Sequence, residues 1–424
     1  MALPGERTNG HRFLREAVVA GAAALLVGTE PEQATLATLG DVTIVVVGDP
    51  LAALQALAAA WRAQFRPLVV GVTGSIAKTS TKEAIATVLA ARGQTLRSEG
   101  NQNNEIGLPL TLLRLGRDDI NAVLEMGMYT GGEIAELARL AKPHIGVVTA
   151  VLGVHLSRIG TIEAVEKAKA ELVEALPKDG MAVLNADDAR VRAMASRTPA
   201  RSLTYGFAAD ADVGAERVRS AGVAGMRFIL RISGPDGIVR LSASIPTLGR
   251  LSVHNALAAA AVGVASGLAP DAIVAALAAG WSSPRRAQLV AVRDFSIVDD
   301  TYNASPASVV AALELLSGLP GRRVAVLGEM LELGEAADAG HRDVGRAAAS
   351  TCALLVTIGA GAAGIARGAL EAGMDASSVI EVADRTAAAA LIREIARAGD
   401  VVLVKGSRGI ELDRLVDDLR AEPA

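Results

Sequence analysis

Residues 71–82, which read G-V-T-G-S-I-A-K-T-S-T-K, constrain the fold of this 424-residue chain more than any other segment. They overlap the end of Leu68–Thr73, a short apolar run typical of a buried parallel strand. A strand that runs into a glycine-containing turn and then a helix predicts a phosphate-binding loop. Backbone N–H groups of such a turn and of the helix N-terminus can surround phosphate oxygens. We predict this loop at residues 71–80 and a helix over 78–92.

The residue types in this loop suit a nucleotide with its magnesium ion. Lys78 would neutralise the β- and γ-phosphates, and the Thr79 hydroxyl would bind Mg²⁺. The other predicted nucleotide contacts in the loop are Gly74, Ser75, Ile76, Ala77 and Ser80. Ala77 departs from the usual pattern, in which glycine precedes the lysine, and it costs about 1 kcal/mol if the position needs a positive φ. An ordinary strand–turn–helix remains the alternative interpretation.

Composition and charge limit the cellular compartment and the classes of binding partner that we expect for this chain. The formal net charge is −4 and no basic stripe is present, which argues against a general nucleic-acid binder. The single cysteine, Cys352, cannot form an internal disulfide and reads as a buried thiol in a reducing compartment. The apolar stretch 17–27 is shorter than a membrane span, and no secretory signal pattern opens the chain. We therefore expect a cytoplasmic protein without a membrane partner.

The order of predicted elements indicates an α/β protein with three domains, at residues 1–66, 67–284 and 285–424. The first block is small for an independent domain. The second alternates strands and helices from residue 67, and then reads as strands and turns over 201–246. The third alternates again and predicts a second open sheet with strands at 296–300, 323–328, 354–358, 379–382 and 401–404.

Several further stretches occur in a fixed order along the chain. They are G-N-Q-N-N-E-I-G-L-P at 100–109, L-E-M-G at 124–127, H-L at 155–156 followed by Lys169, L-N-A-D-D at 184–188, D-D-T-Y-N-A-S-P at 299–306, L-G-E-M-L-E-L-G at 327–334 and K-G-S-R-G at 405–409. Together with the loop, they resemble the Mur ligase family, and within it the branch that adds D-alanyl-D-alanine. The likeness covers nearly the whole chain.

The resemblance implies a fold and an activity. The fold would be a shortened N-terminal domain for a UDP-linked substrate, a central ATPase domain with a phosphate loop on a parallel sheet, and a C-terminal Rossmann-like domain. The activity would be ATP-dependent amide ligation through an acyl phosphate, in peptidoglycan precursor synthesis. The implied partners are UDP-muramyl-tripeptide and D-alanyl-D-alanine, and the protein would act as a monomer with ATP and two Mg²⁺ ions.

The resemblance also implies site residues. Thr79 and Glu125 would bind one Mg²⁺ and His155 the second. Asn255 would contact adenine, and Asp300 would lie in the segment that closes over ATP. Lys78, Lys169, His155 and Arg286, at the hinge into the third domain, would be catalytic. The implied substrate contacts are Asn103, Asn104, Asn303, Lys405, Ser407 and Arg408.

Lys169 also stands out from its own surroundings in the sequence. On a helix predicted over 161–176 it falls on the apolar stripe that includes Val165 and Leu172, so we expect it to face the core. Burial lowers the pKa of a lysine and favours the neutral amine. In the family a lysine at this position is often carbamylated and supports the second Mg²⁺. The alternative is a side chain that extends from the core edge to solvent.

Three rival interpretations remain. G-A-G-A-A-G at 359–364, with Glu381 22 residues after Gly359, fits a dinucleotide fingerprint. A folylpolyglutamate-type ligase shares the ATP site. A non-catalytic relative is suggested by departures from the family pattern, which are Ala77, Ala150, Leu251, Ser252 and Ser305. The chain also opens without a strand and an S-R element that precede this point in the family. Either the true start lies upstream, or the protein binds its UDP-linked substrate weakly or not at all.

Overall fold

The computed structural model describes residues 1–5, 8–153, 159–235 and 237–421. Within these residues the strands form three separate sheets, of two, nine and six strands. None of the described helices has the length and apolar character needed to span a membrane. Short 3₁₀ helices lie at Gly10–Phe13, Met194–Arg197, Gly222–Ala224, Gly334–Ala336, Ala360–Ala362, Ala376–Ser378 and Arg408–Ile410.

The N-terminal region is built on two short parallel strands. Its elements are α1 (Leu14–Val19), β1 (Ala24–Val27), α2 (Gln33–Leu39), β2 (Thr43–Val46) and α3 (Pro50–Arg62). Its own core is small and centres on Leu14, Leu25 and Leu39. The helix α3 also packs against the next domain, where Ala58 joins the core around Leu124. The N-terminal region is therefore supported by the middle domain as well as by its own core.

The middle domain contains one large, mostly parallel sheet. Its strands are β3 (Leu68–Thr73), β4 (Thr95–Arg97), β5 (Asn121–Glu125), β6 (Ile145–Val148), β7 (Met181–Asn185), β8 (Arg201–Gly206), β9 (Val213–Ser220), β10 (Met226–Gly234) and β11 (Gly237–Ile245). They lie in the order β11-β10-β9-β8-β7-β6-β3-β5-β4. Only the ladders β9–β10 and β10–β11 are antiparallel, so the predicted change to strands and turns after residue 201 is present.

Helices cover both faces of this sheet. They are α4 (Lys78–Leu89), α5 (Gly107–Leu112), α6 (Glu133–Ala141), α7 (Ile162–Glu174), α8 (Ala189–Ala193), α9 (Arg250–Ala265) and α10 (Pro270–Ala279). Helix α9 packs closely on α4 because its side chains between residues 256 and 261, mostly alanine, are all buried. Strand β3 lies between β5 and β6. Since parallel strands end at the same sheet edge, this order brings the segments that follow β3, β5 and β6 together.

The C-terminal domain is a second α/β unit. Its strands are β12 (Gln288–Val292), β13 (Phe295–Asp299), β14 (Arg323–Gly328), β15 (Leu354–Ile358), β16 (Val379–Val382) and β17 (Val401–Lys405), and its helices are α11 (Pro306–Ser317), α12 (Ala337–Thr351), α13 (Ala363–Glu371), α14 (Arg385–Ile395) and α15 (Leu412–Arg420). The sheet order is β12-β13-β17-β14-β15-β16, antiparallel only at β12. Cys352 is buried as expected, and burial raises the pKa of its thiol to about 12.

Candidate active site

The phosphate loop follows β3 and is fixed by the segment after β6. Ser75 N donates to the carbonyl of Ala150 at 2.8 Å, and Thr149 Oγ1 donates to the carbonyl of Ile76 at 2.6 Å. Gly74 has φ +147°, and a side-chain carbon there would overlap the Thr149 hydroxyl. Only glycine fits at position 74, because the loop there lies directly against Thr149.

Ala77 adopts the left-handed conformation, with φ 64° and ψ 0°. This confirms that the position before Lys78 needs a positive φ, the condition under which alanine is strained. Lys78 opens α4, and its Nζ donates to the carbonyl of Gly74 at 2.8 Å. Burial lowers the pKa of Lys78; Glu125 opposes this effect and Arg286 adds to it. The charges of Glu125 and Arg286 therefore both act on Lys78.

Glu125, at the end of β5, is held by three polar groups. Thr79 Oγ1 donates to its Oε2 and Asn103 Nδ2 donates to its Oε1, each at 2.8 Å. The backbone N–H of Glu125 donates to Ser98 Oγ at 3.1 Å. Glu125 as a whole is only 2% exposed. The Thr79 hydroxyl and the Glu125 carboxylate lie next to each other, and both are hard oxygen donors of the kind that Mg²⁺ prefers. The two residues therefore fit that ion.

Lys169 lies on the buried face of α7 and is 3% exposed, as its position on the apolar stripe predicts. Burial, together with the charge of Lys78, brings the pKa of Lys169 well below its ordinary value of 10.5. Its amine has no hydrogen bond or ion pair with another described residue. His155 lies outside the described residues, so its proposed place beside Lys169 stays a prediction. Within the part of the chain that the structure covers, no three His, Cys, Asp or Glu side chains group together as metal ligands.

A cleft of about 690 Å³ separates the middle and C-terminal domains. It brings together most of the side chains predicted from sequence. These are Ser75, Ile76, Ala77, Lys78, Thr79, Ser80, Asn103, Glu125, Asn255, Arg286, Asp300, Asn303, Lys405, Ser407 and Arg408. Three described candidates do not line it, namely Gly74, Asn104 and Lys169. Asn104 Oδ1 accepts from the backbone N–H of Gly107, the first residue of α5, at 2.9 Å.

Two cleft residues predicted to meet ligands are bound to each other. Lys405 Nζ lies 2.6 Å from Asp300 Oδ2 and donates to the carbonyl of Asn303 at 2.8 Å. Lys405 is 3% exposed. Asp300 Oδ1 also accepts from Ala287 N at 3.1 Å. Lys405 and Asp300 thus shape the segment after β13 and join it to the hinge.

The hinge places an arginine in the cleft. Arg286 lies between two residues with positive φ, Arg285 at 62° and Ala287 at 49°. Its guanidinium carbon is 3.9 Å from the centre of the Tyr302 ring, and that of Arg408 is 5.7 Å from the same ring. Both guanidinium groups therefore lie near one wall of the cleft.

Ser407 and Asn255 have internal partners as well. Ser407 Oγ accepts from Leu331 N at 2.9 Å, which joins the segments after β17 and β14. Asn255 is 3% exposed, and its Oδ1 accepts from Thr81 Oγ1 at 3.1 Å. This bond fixes Asn255 against the helix that opens with Lys78.

A second, more apolar cavity of about 470 Å³ shares Ile76 and Ala77 with the cleft. Its polar residues were not among the predicted site residues. His254 Nε2 lies 3.1 Å from Asn185 Oδ1 and 3.4 Å from Asp187 Oδ2. Burial alone would raise the pKa of Asp187, but hydrogen bonds from His254 and two backbone N–H groups lower it. The L-N-A-D-D stretch at 184–188 contains two of these three residues, Asn185 and Asp187, and was the sequence signal that could have found them.

The glycine-rich stretch at 359–364 has a different environment. A side-chain carbon at Gly361 would overlap the carboxylate of Glu329, which therefore lies directly over this turn. A carboxylate at this position repels phosphate and fills the space that a dinucleotide pyrophosphate needs. This arrangement disfavours the dinucleotide interpretation.

Comparison with known proteins agrees with this geometry. The family model described as Mur ligase middle domain matches residues 72–263, and the one described as Mur ligase, glutamate ligase domain matches residues 285–408. A protein of Bacillus subtilis (strain 168) named UDP-N-acetylmuramoyl-tripeptide–D-alanyl-D-alanine ligase is 35% identical, over 99% of this chain and 90% of its own length. The chain belongs to the Mur ligase family.

Solved structures of other Mur ligases have the same architecture. A crystal structure of MurF from Acinetobacter baumannii has a TM-score of 0.86 and 28% identity, and covers 99% of this chain and 90% of its own. The MurF ligase of Thermotoga maritima in complex with ADP has a TM-score of 0.84 and 27% identity, and covers 99% of this chain and 93% of its own. The three-domain Mur ligase fold expected from the sequence is thereby confirmed.

Proposed function

We propose that this Mur ligase uses ATP to join D-alanyl-D-alanine to UDP-N-acetylmuramoyl-tripeptide in peptidoglycan precursor synthesis. The observation that carries the proposal is the full-length likeness to ligases of that name, together with the Thr79–Glu125 pair beside the phosphate loop. The substrates are small molecules of the cytoplasm, where we expect the protein to act. We expect a monomer, because one chain supplies all the residues proposed here.

The proposed nucleotide position follows from the two cavities that meet at Ile76 and Ala77. The phosphates belong on the loop, where Lys78 and backbone N–H groups supply positive charge. The base belongs in the more apolar cavity, because the main cleft is lined by charged groups. Residues that line both cavities, such as Leu248 and Leu251, would hold the nucleoside between them, with Asn255 on the side of the main cleft. The ADP complex of the Thermotoga MurF ligase supports the use of such a nucleotide in this fold.

Thr79 and Glu125 would hold one Mg²⁺ beside the phosphates. When bound, this ion supplies positive charge to the phosphate oxygens. A second ion would need His155 and the carbamate of Lys169 as its support. The neutral amine that carbamylation requires is favoured by the burial of Lys169.

The reaction needs little covalent help from the protein. The terminal carboxylate of the tripeptide takes the γ-phosphoryl group of ATP, which breaks the bond to ADP and forms an acyl phosphate. The amine of D-alanyl-D-alanine then attacks the carbonyl carbon, loses a proton, and expels inorganic phosphate. Lys78 and Arg286 would neutralise the transferring group, which is where such sites gain most of their rate.

The C-terminal wall of the cleft would position the acceptor. Asn303, Ser407 and Arg408 line the cleft next to the hinge, and Arg408 can pair with the carboxylate of the incoming dipeptide. Lys405 would act through Asp300 and the carbonyl of Asn303, since its amine is bound to them. Asn104 would support Asn103 through its bond to the first residue of α5 rather than touch the substrate.

A second candidate is a relative that binds nucleotide without ligating these substrates. The observation that favours it is the strain at Ala77, together with apolar side chains at Ala150 and Leu251 in the second cavity. Such a protein would bind ADP and leave ATP intact.

A coupled assay of ADP release separates these proposals. With ATP, Mg²⁺, UDP-muramyl-tripeptide and D-alanyl-D-alanine present, we expect turnover that falls to background when either acceptor is omitted. Turnover with a folate and glutamate instead would favour a folylpolyglutamate-type ligase. ADP binding without stimulation by any acceptor would favour the non-catalytic relative and refute ligation.

A further inference from the structure

Lys82 is a charged residue at the centre of the middle domain to which no part of the proposed reaction assigns a role. It lies on α4, three residues after Thr79, and its side chain is completely buried. Its ammonium group lies 2.7 Å from Glu83 Oε1 and donates to the carbonyl of Ser98. Lys82 therefore joins the helix that opens with the phosphate loop to the residue that follows β4.

Stability alone is a poor explanation for this buried ammonium group. Removing a charge from water costs several kcal/mol, and ion pairs inside proteins often stabilise no better than apolar residues of the same size. The neighbouring Glu83 already has a second partner, because Arg97 Nε lies 2.8 Å from its Oε2. The contact that depends on Lys82 alone is the one to Ser98.

Ser98 connects Lys82 to the proposed metal site. Its hydroxyl accepts from the backbone N–H of Glu125, and its own N–H continues the ladder to Val123 at 3.1 Å. Five residues further on, Asn103 donates to one carboxylate oxygen of Glu125, while Thr79 on α4 donates to the other. Glu125 is thus bound by groups from α4 and from the segment 98–103.

We infer that Lys82 is a positioning residue for the metal site, because it ties α4 to Ser98 and so fixes both groups of donors around the carboxylate of Glu125. This inference rests on the proposed role of Thr79 and Glu125. Residues that orient metal ligands from outside the coordination shell commonly change metal affinity by about 10–100-fold when removed. Metal binding, rather than nucleotide binding as such, should depend on Lys82.

Two dissociation constants test this inference in the full-length protein. The first is the dissociation constant of Mn²⁺ from the ADP-saturated protein, measured through the electron paramagnetic resonance signal of free Mn²⁺. The second is that of a fluorescent ADP analogue in EDTA. For Lys82→Met we expect the Mn²⁺ constant to rise about tenfold, with the metal-free ADP constant within twofold of wild type. Lys82→Arg, which keeps a donor for Ser98, should recover part of the Mn²⁺ affinity.

A matched control lies just beyond the other end of the same helix. Arg92 Nη1 donates to Asn121 Oδ1 at 2.9 Å, so it ties the helix end to the first residue of β5, remote from the loop. Arg92→Met should leave both constants unchanged. If Lys82→Met does not fold, Ser98→Ala replaces it, because that change removes the hydroxyl that receives the Glu125 N–H, and it should also raise the Mn²⁺ constant.

The outcomes separate the inference from the proposed function. A Lys82→Met protein whose two constants rise by the same factor, or whose Mn²⁺ constant does not change, would overturn the positioning role. A wild-type ADP complex that binds no Mn²⁺ would instead contradict the proposed metal site at Thr79 and Glu125.

Discussion

The hydroxyl of Thr149 donates a hydrogen bond to the carbonyl of Ile76, so the segment after β6 holds the phosphate loop in its shape. The residue after Ile76 then has φ 64°. A strained residue persists only where its neighbours determine the conformation. Here four hydrogen bonds join Ser75 and Ile76 to the segment from Thr149 to Leu152.

Replacing Ala77 with glycine should relieve this strain. Glycine has no β-carbon to disfavour a positive φ, so Ala77→Gly should gain up to about 1 kcal/mol of local stability and raise turnover. Ala90, exposed with an ordinary helical φ of −59°, is the control, and Ala90→Gly should lose up to about 1 kcal/mol. For both variants, urea unfolding measures the stability and kcat measures the turnover. Slower turnover in Ala77→Gly would mean that the alanine side chain itself is needed.

The phosphate loop and several strands of both large sheets could be predicted because their signals are local. Apolar runs predicted β3, β14, β15 and β17 within a residue of their ends, and the residue types of 71–82 predicted the turn. The short helix α2 and the edge strand β12 were missed. Four of the five residues of β12 are apolar, yet most of the strand is at least partly exposed, as expected of an edge strand.

The contacts that complete the site could not be predicted, because they join distant parts of the chain. Lys405 meets Asp300, 105 residues away, and His254 meets Asn185, 69 residues away. Sequence spacing carries no information on such pairs. The role of Lys405 therefore looked like ligand binding, whereas the structure pairs it with another predicted site residue.

Lys169 should make stability depend on pH. Because its pKa is held well below 10.5, the unfolded chain binds a proton there that the folded chain does not. The contribution of Lys169 therefore lowers the free energy of unfolding as pH falls below about 10.5. The loss grows until the pH reaches the pKa of Lys169 in the folded protein. In CO₂-free buffer, Lys169→Met should be more stable than wild type, and the difference in the free energy of unfolding should grow as pH falls. Lys167→Met, exposed on the same helix, should show no such trend.

Lys169 should also be needed for turnover. Lys169→Ala removes the amine that can take up CO₂, so we expect a loss of activity that bicarbonate or a short carboxylic acid restores in part. The measurement is ADP release with and without the added acid. Full activity of the unsupplemented variant would refute a role for the lysine.

Breaking the Lys405–Asp300 pair should destabilise the C-terminal domain. Lys405→Met removes the charged partner of the Asp300 carboxylate. Removal of one member of a fully buried pair costs about 3–5 kcal/mol, and we expect a smaller loss here because Asp300 is 16% exposed and keeps its bond to Ala287 N. Adding Asp300→Asn should recover part of that loss. Urea unfolding of the single and double variants measures the coupling, with exposed Lys178→Met as control. Strictly additive losses would show that the pair has no coupling energy.

The glycine-rich turn at 359–364 should not bind a nicotinamide dinucleotide, since Glu329 lies over it. NADH fluorescence should stay unchanged at saturating protein. An enhancement that competes with NAD⁺ would reopen the dinucleotide interpretation of the C-terminal domain.

The central claim is that the site around Lys78, Glu125 and Arg286 makes an acyl phosphate. It is tested most directly with UDP-muramyl-tripeptide labelled with ¹⁸O in its terminal carboxylate. During turnover with ATP and D-alanyl-D-alanine, the carboxylate oxygen that receives the phosphoryl group leaves with the phosphate. We predict one ¹⁸O atom in each released phosphate, read by mass spectrometry. Unlabelled phosphate, with both labelled oxygens retained in the tripeptide, would contradict this account.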